Sequence, residues 1–155
     1  MGFNTNYNVG GVVDRVKRVD LVAEVGGIKG FPTLSQPYNR MVTLDIPSVK
    51  GDFEIVFTTP DETVEVMAVT VSCTGYSERD RYDLFCNDEP WYQNWFVSEM
   101  NEALFLGTST FVYSAPPDTV FKLVYRNDSG CSKNVKVGFR MLKGPKLAEI
   151  EQPQQ

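Results

Sequence analysis

The chain has 155 residues, of which 42% are hydrophobic and 23% are charged, proportions that are typical of a folded globular domain. The net charge of −5 disfavours binding to nucleic acid through its phosphates, because such binding needs a basic surface. No apolar run approaches the roughly 20 residues that a membrane helix needs. We therefore expect neither a nucleic acid nor a membrane as a partner.

Residues 1–40 are predicted to form an N-terminal arm or edge segment. β-Branched residues are dense between positions 12 and 25, which favours a strand there, although a helical spacing is also present. Repeated glycine and proline between positions 26 and 37 indicate extended backbone. Three basic residues of the arm are interpreted as its solvent face: Arg15, Lys17 and Arg18. The first thirty residues lack the apolar run of a signal peptide, so we expect synthesis in a cytoplasm.

Residues 41–143 are predicted to form a β-sandwich domain. Apolar side chains alternate with polar ones from position 41 to position 46 and again from position 52 to position 58, which indicates two half-buried strands. Residues 64–73 carry apolar side chains on both faces, which predicts a strand that is covered on both sides. Two shorter strands are expected near positions 103–106 and 111–114.

The most unusual stretch runs from Tyr82 to Phe96 and contains both tryptophans of the chain. Its first part alternates as a strand should, with Tyr82 and Cys86 on one face. Residues 87–90 are predicted to form a turn, because asparagine and aspartate bond to nearby backbone and proline fixes φ. The residues that follow are expected to form an aromatic corner at one end of the sandwich.

The alternating runs 121–125 and 135–141, separated by the turn-forming residues 127–130, predict a β-hairpin. The sequence from position 144 to position 155 has little apolar content, and we predict a mobile C-terminal tail. Seven to nine short strands with frequent turns are the signature of an all-β fold. We therefore predict an antiparallel β-sandwich or jelly roll with an extended N-terminal arm.

Site chemistry is sparse in this sequence, because the chain has no histidine, the usual general base and metal ligand. A glycosidase-like pair of carboxylates is one possibility, with four candidates: Asp83, Asp88, Glu89 and Glu99. Calcium could be bound by oxygen ligands in the same stretch: Asp80, Asp83, Asn87, Asp88 and Glu89. We favour a solvated polar turn over both, and we predict neither an enzyme nor a cofactor. The three cysteines are interpreted as free thiols: Cys73, Cys86 and Cys131.

The aromatic side chains of this stretch have two readings. Exposed rings beside asparagine and aspartate could stack on sugar rings, whereas buried rings would be anchors of a core or of a protein interface. We favour core or interface for at least one tryptophan. The candidate residues for binding a glycan or another subunit are Trp91, Tyr92, Trp95, Asn87 and Asp88.

Several segments resemble small β-sandwich virion proteins of tailed bacteriophages that infect Gram-positive hosts. The resemblance lies in residues 43–54, 69–73, 76–77 and 80–84, and in the closing segment 125–133. It implies a structural or attachment role in a virion, with copies of the chain and other virion proteins as partners. It supplies no site residues. We therefore predict a non-enzymatic virion component in the capsid decoration, neck, tail or fibre, with a carbohydrate-binding module as the alternative.

Overall fold

The computed structural model describes residues 26–98, 102–105 (backbone only) and 111–147. Their regular structure consists of eleven β-strands that pair antiparallel in two sheets. The prediction of an all-β antiparallel sandwich is confirmed. The predictions for residues 12–25, for the basic cluster of the arm, for Glu99 and for residues 148–155 of the tail lie outside the described residues.

The larger sheet, sheet A, has seven strands: β1 (Gly27–Lys29), β2 (Leu34–Pro37), β3 (Arg40–Ile46), β5 (Val64–Thr74), β8 (Glu102–Phe105), β9 (Val112–Ala115) and β11 (Lys133–Lys146). β5 and β11 pair with each other at its centre. β8 and β9 share the far side of β5, and β2 and β3 share the far side of β11. β1 extends the sheet beyond β9.

The smaller sheet, sheet B, has four strands in the order β4 (Gly51–Thr58), β10 (Val120–Asn127), β6 (Arg81–Cys86) and β7 (Glu89–Phe96). Its two edges are therefore β4 and β7. The alternation read from the sequence places the correct residues inside, because Tyr82, Leu84 and Cys86 of β6 are all buried. Between the sheets, the ring of Phe139 lies 4.5 Å from that of Phe57 and 5.2 Å from that of Phe121. Full burial of a phenylalanine side chain, as for Phe121 and Phe139, stabilises the fold by about 1.5–3 kcal/mol.

The predicted hairpin between residues 121 and 141 is wrong. Both strands exist, but β10 pairs with β4 and β6 in sheet B, whereas β11 belongs to sheet A. The buried amide of Asn127 donates hydrogen bonds to the carbonyl oxygens of Val49 (2.9 Å) and Cys131 (3.0 Å). These bonds fix the segment in which the chain passes from β10 in sheet B to β11 in sheet A. The turn-forming residues 127–130 therefore do not close a hairpin.

The structure has more strands than the seven to nine expected. Two of them, β1 and β2, come from the segment predicted as an arm, and β11 continues to Lys146, beyond the start of the predicted tail. The prediction that β5 is covered on both faces is correct for the first half of the strand. There Glu65 points out of the sandwich yet is fully buried, because residues 33 and 34 cross over it.

Candidate binding surface of the β6–β7 hairpin

Strands β6 and β7 form a hairpin whose turn consists of two residues, Asn87 and Asp88. Both have positive φ angles, 47° and 65°, as a type I′ turn requires, and Cys86 pairs directly with Glu89. The predicted four-residue turn is therefore too long, since Glu89 and Pro90 already belong to β7. Proline is tolerated there because β7 is an edge strand, where one side of the backbone has no partner strand among the described residues.

The predicted aromatic corner is instead an edge strand with two irregularities. Trp91 is an extra residue between the pairs Phe85–Pro90 and Leu84–Tyr92. A second extra residue lies opposite Asp83, where Asn94 has a φ of 53°. Such bulges bend a strand and change the direction of its side chains. The stretch consequently runs along one side of sheet B, and only its turn lies at the end of the sandwich.

Trp91 packs into the sandwich. Its ring lies 4.9 Å from that of Tyr113 in sheet A and 5.4 Å from that of Phe121 in sheet B, with edge-to-face geometry in both pairs. Pairs of this kind add about 0.5–1.5 kcal/mol to the burial itself. Trp91 therefore contacts both sheets. Its position supports the interpretation that at least one tryptophan is an anchor of the core.

The other aromatic residues of β7 form a cluster in the part of the hairpin that is distant from the turn. The ring of Trp95 lies 5.1 Å from Tyr92, edge to face, and is stacked 5.5 Å from Phe96. Trp95 is 38% exposed and Phe96 is 51% exposed, whereas the next residue, Val97, is buried. We call Tyr92, Trp95 and Phe96 the aromatic edge.

Asn87 and Asp88, the two polar candidates, have different roles. Asn87 is part of the scaffold, because its side-chain oxygen accepts a hydrogen bond from the backbone N–H of Val120 (2.8 Å) and its own N–H donates to the oxygen of Val120 (2.8 Å). The side chain of Asp88 is 93% exposed, and its one described ion pair is a 3.7 Å approach to Lys122. The structure thus places Asp88 at the convex tip of the hairpin.

Asp83 holds the second bulge in place. One carboxylate oxygen accepts a hydrogen bond of 2.6 Å from the backbone N–H of Asn94. The other oxygen is paired with the guanidinium of Arg126, which also donates to the side-chain oxygen of Asn94 (3.2 Å). This carboxylate therefore positions β7, and with it the aromatic edge.

Two further carboxylates are fully buried. Asp80 accepts hydrogen bonds from Lys133 (3.0 Å between Nζ and Oδ2), the hydroxyl of Tyr125 (2.9 Å) and three backbone N–H groups: those of Ser77, Asp128 and Ser129. Burial raises the pKa of Asp80, but the hydrogen bonds, that of Lys133 first, lower it more, so that the net pKa lies below the ordinary 3.8. The same bonds hold loops from both sheets together at this end of the sandwich.

Glu65 plays the corresponding part on the outer face of sheet A. It accepts hydrogen bonds from the ammonium of Lys29 (2.8 Å), from the hydroxyl of Thr33 (2.6 Å) and from the N–H groups of Thr33 and Leu34. Burial raises the pKa of Glu65, and these bonds bring it below the ordinary 4.5. Glu65 thus fastens the segment between β1 and β2 onto the sheet.

The structure separates the residues that were weighed for calcium or for glycoside hydrolysis. Asp80 lies before β6, Asp83 faces outwards in the middle of that strand, and Asp88 and Glu89 follow its end. Within the described residues, no three acidic, cysteine or histidine side chains come together in a group that could hold a metal ion. The cysteines are free thiols; Cys73 and Cys86 are buried, which raises the pKa of both, and Cys131 is exposed.

Sequence reasoning considered Asp80 only as a calcium ligand and missed Glu65, Lys29 and Lys133 altogether. One signal was present for Glu65, since it is an acidic residue inside an apolar run. No comparable signal marks Lys133, because its partner Asp80 is distant in the sequence.

The fold and the hairpin define a small antiparallel β-sandwich that presents aromatic and acidic side chains on one edge strand. The chain belongs to the family described as "Domain of unknown function (DUF8551)", whose model matches residues 35–146. No curated protein matches the chain. In the part of the chain that the structure describes, there is no helix with the length and apolar character to cross a bilayer.

Proposed function

We propose that the protein is a non-enzymatic structural component of a bacteriophage virion and that it assembles through protein contacts made by the β6–β7 hairpin. The observation that carries this proposal is the aromatic edge, where Trp95 and Phe96 are exposed side by side on an edge strand. Exposed apolar clusters and open strand edges are the features through which β-proteins associate. Tryptophan is also among the residues that contribute most to binding at interfaces.

The arrangement of the carboxylates also supports a structural role. Asp80, Glu65 and Asp83 are each engaged by cations and N–H groups of the fold, so their oxygens are used to hold strands and loops. Assignment to a virion rests on the sequence resemblance of about residues 41–143 to small β-sandwich virion proteins of tailed bacteriophages.

Self-association tests the role of the hairpin. Wild-type protein is expected to form oligomers as its concentration rises in analytical ultracentrifugation, and Phe96→Ser is expected to weaken this association by about tenfold, as the loss of an interface aromatic does. Val56→Ser is the matched control, because Val56 is 52% exposed on β4, the opposite edge of sheet B. Equal effects of the two changes, or a monomer at every concentration, would count against assembly through β7.

The virion assignment has a separate test. Particles purified from a lysate of the host by density gradient are expected to contain this chain in stoichiometric amounts, as measured by quantitative mass spectrometry. Absence of the chain from intact particles would reject the virion assignment even if the purified protein forms oligomers.

A carbohydrate-binding module is the second candidate, because Trp95 lies beside the exposed polar residues Gln93 and Asn94. This reading expects tryptophan fluorescence to change on titration with cell-wall polysaccharide. It further expects the change to disappear in Trp95→Ala, whereas Phe85→Ala on the outer face of β6 serves as the control. An unchanged spectrum would remove this candidate and leave the assembly proposal intact.

A further inference from the structure

Strand β1 is the open edge of sheet A. It pairs with β9 on one side, and no strand of the described residues pairs with its other side. Ile28 lies opposite Tyr113, and Tyr113 lies opposite Val66 of the core, so the side chain of Ile28 faces the interior of the sandwich. Ile28 is nevertheless 58% exposed, and Phe111, two residues before Tyr113 and on the same face, is 38% exposed. This apolar face and the free strand edge beside it both lack a cover in the described part of the chain.

Gly26, the residue before β1, has the backbone conformation of a turn. Its φ of 88° lies in the left-handed region, which favours glycine and occurs where a chain reverses its direction. A Cβ atom at Gly26 would lie 2.9 Å from the hydroxyl oxygen of Tyr113, 3.1 Å from Cδ of Pro116 and 3.2 Å from the backbone oxygen of Ser114. The space on the β9 side of Gly26 is therefore filled. A chain that reverses at Gly26 comes to the free side of β1.

The sequence before Gly26 alternates as an edge strand at this position requires. Apolar residues at every second position alternate with a set that is mostly charged: Val19, Leu21 and Ala23 against Arg18, Asp20, Val22 and Glu24. Because the side chains of a strand point to its two faces in turn, one face of such a strand is apolar and the other carries the charges. The apolar face matches the uncovered inner face of β1, and the charged face matches the outer face, where Lys29 binds Glu65.

The length of the loop decides which residues lie opposite each other. A loop of two residues would need a positive φ at Val25, which is strained for a β-branched residue. A loop of three residues would turn the charged residues towards the core. A loop of four residues, 23–26, avoids both, and such loops are common in hairpins. It places Leu21 opposite Ile28 and Asp20 opposite Lys29.

We propose that residues 18–22 bind to the free side of β1 in the same chain, as an antiparallel strand with Leu21 beside Ile28. The proposal goes beyond the proposed function, because the contact is made within one chain. Sheet A gains an edge strand that covers the inner face of β1. The new edge carries Arg18 and Asp20, and charged residues on an edge strand oppose pairing with other molecules.

Strand β7 lies on the same side of the sandwich as β1, because Trp91 of β7 contacts Tyr113 of β9, the neighbour of β1. A strand bound to β1 closes the edge of sheet A on this side and leaves β7 as the open edge of sheet B. Assembly through the β6–β7 hairpin and docking of residues 18–22 are therefore compatible, and each can fail without the other.

Cysteine pairs test the register in the full-length chain that carries Cys131→Ser. Leu21→Cys with Ile28→Cys places two thiols at directly opposite positions, where they are close enough for a disulfide, whereas Asp20→Cys with Ile28→Cys places them on opposite faces. We expect the first pair to form a disulfide within one chain at least about tenfold faster than the second under mild oxidation. Alkylation followed by mass spectrometry measures the rate, and a non-reducing gel shows whether one chain or two are joined.

Equal rates for the two pairs would overturn the proposal. A disulfide that joins two chains would overturn it in another way, because the strand would then come from a second copy. Leu21→Ser tests the docking without an added cross-link. Its midpoint of urea denaturation is expected to fall, whereas that of Arg18→Ser, on the charged face, is expected to stay the same. Unchanged midpoints in both variants would contradict the burial of Leu21 against β1.

Discussion

The two ends of strand β6 are flanked by aspartates in opposite environments. Asp80, just before the strand, is fully buried, and it accepts hydrogen bonds from a buried lysine, a tyrosine and three backbone N–H groups. Asp88, just after the strand, stands on a two-residue turn with its side chain almost wholly exposed. The comparison shows that the role of an aspartate in this fold depends on the number of hydrogen-bond donors around its carboxylate, and not on the residue type.

The largest expected effect is at the buried end. Asp80→Ala leaves Lys133 charged and without its carboxylate in a fully buried position, and it removes the acceptor of three backbone N–H groups. We expect the free energy of unfolding, measured by urea denaturation, to fall by about 3–5 kcal/mol. Asp88→Ala, the matched change at the exposed end, is expected to lower it by only about 1 kcal/mol, because the lost carboxylate is exposed and the cost comes from placing alanine at a φ of 65°. Similar losses for the two variants would contradict the comparison.

Acid is expected to weaken the fold through protonation of the two buried carboxylates, Asp80 and Glu65, with a smaller effect, because a protonated carboxyl still accepts hydrogen bonds. The pKa values of Asp80 and Glu65 are lowered on folding from 3.8 and 4.5. Their contribution is therefore complete above those unfolded values, and it is lost as the pH falls through the lower folded values. Urea denaturation at a series of pH values measures this loss.

Glu65→Gln is the control for the acid experiment, because it removes one of the two carboxylates. We expect a lower free energy of unfolding at neutral pH and a shallower decline below about pH 4.5 than in the wild type. The same decline in both proteins would show that Glu65 does not take part in the acid response.

At the exposed end, Asn87 allows a smaller and sharper test. Asn87→Ala loses the hydrogen bond to the N–H of Val120 and also places a Cβ-bearing residue without a compensating amide at a φ of 47°, which is expected to cost about 1–2 kcal/mol. Asn87→Gly loses the bond but tolerates the φ, so its loss in urea denaturation is expected to be smaller. Equal losses in the two variants would place the importance of Asn87 in its hydrogen bond alone, and a glycine variant that is the less stable of the two would contradict a cost from the positive φ.

The smallest expected effect belongs to Asp88. Asp88→Gly relieves a positive φ of 65° in a turn type that favours glycine at this position, and we expect a gain of about 0.5 kcal/mol in the free energy of unfolding. Urea denaturation beside Asp88→Ala separates backbone from side chain, because both variants remove the carboxylate. Destabilisation by glycine would indicate that the ion pair with Lys122 matters to the fold.

Much of the fold follows from alternation in the sequence. The buried positions of β6 and the bounds of β3, β4 and β5 were predicted closely, because a half-buried strand must place apolar residues at every second position. Alternation identifies which face is buried, but it does not identify the neighbouring strand. The segment after Asn127 therefore resembled a hairpin turn as much as the segment after Cys86 did, and only the second of them closes one.

The candidate surface was predictable only in part. The sequence marked the aromatic residues, but the bulges that turn Trp91 inwards depend on pairing with β6, and the fixing of Asn94 depends on Asp83 and Arg126.

The position of β11 has a consequence for the order of events during synthesis. All four strands of sheet B lie between residues 51 and 127, so this sheet has every partner it needs once that part of the chain has left the ribosome. Sheet A is different, because β2, β3 and β5 all pair with a strand that ends at Lys146. Until that strand arrives, β5 can pair only on the side of β8 and β9, and its other side and β3 lack their partner strand. The nascent chain therefore carries unpaired strand edges that can pair with wrong partners.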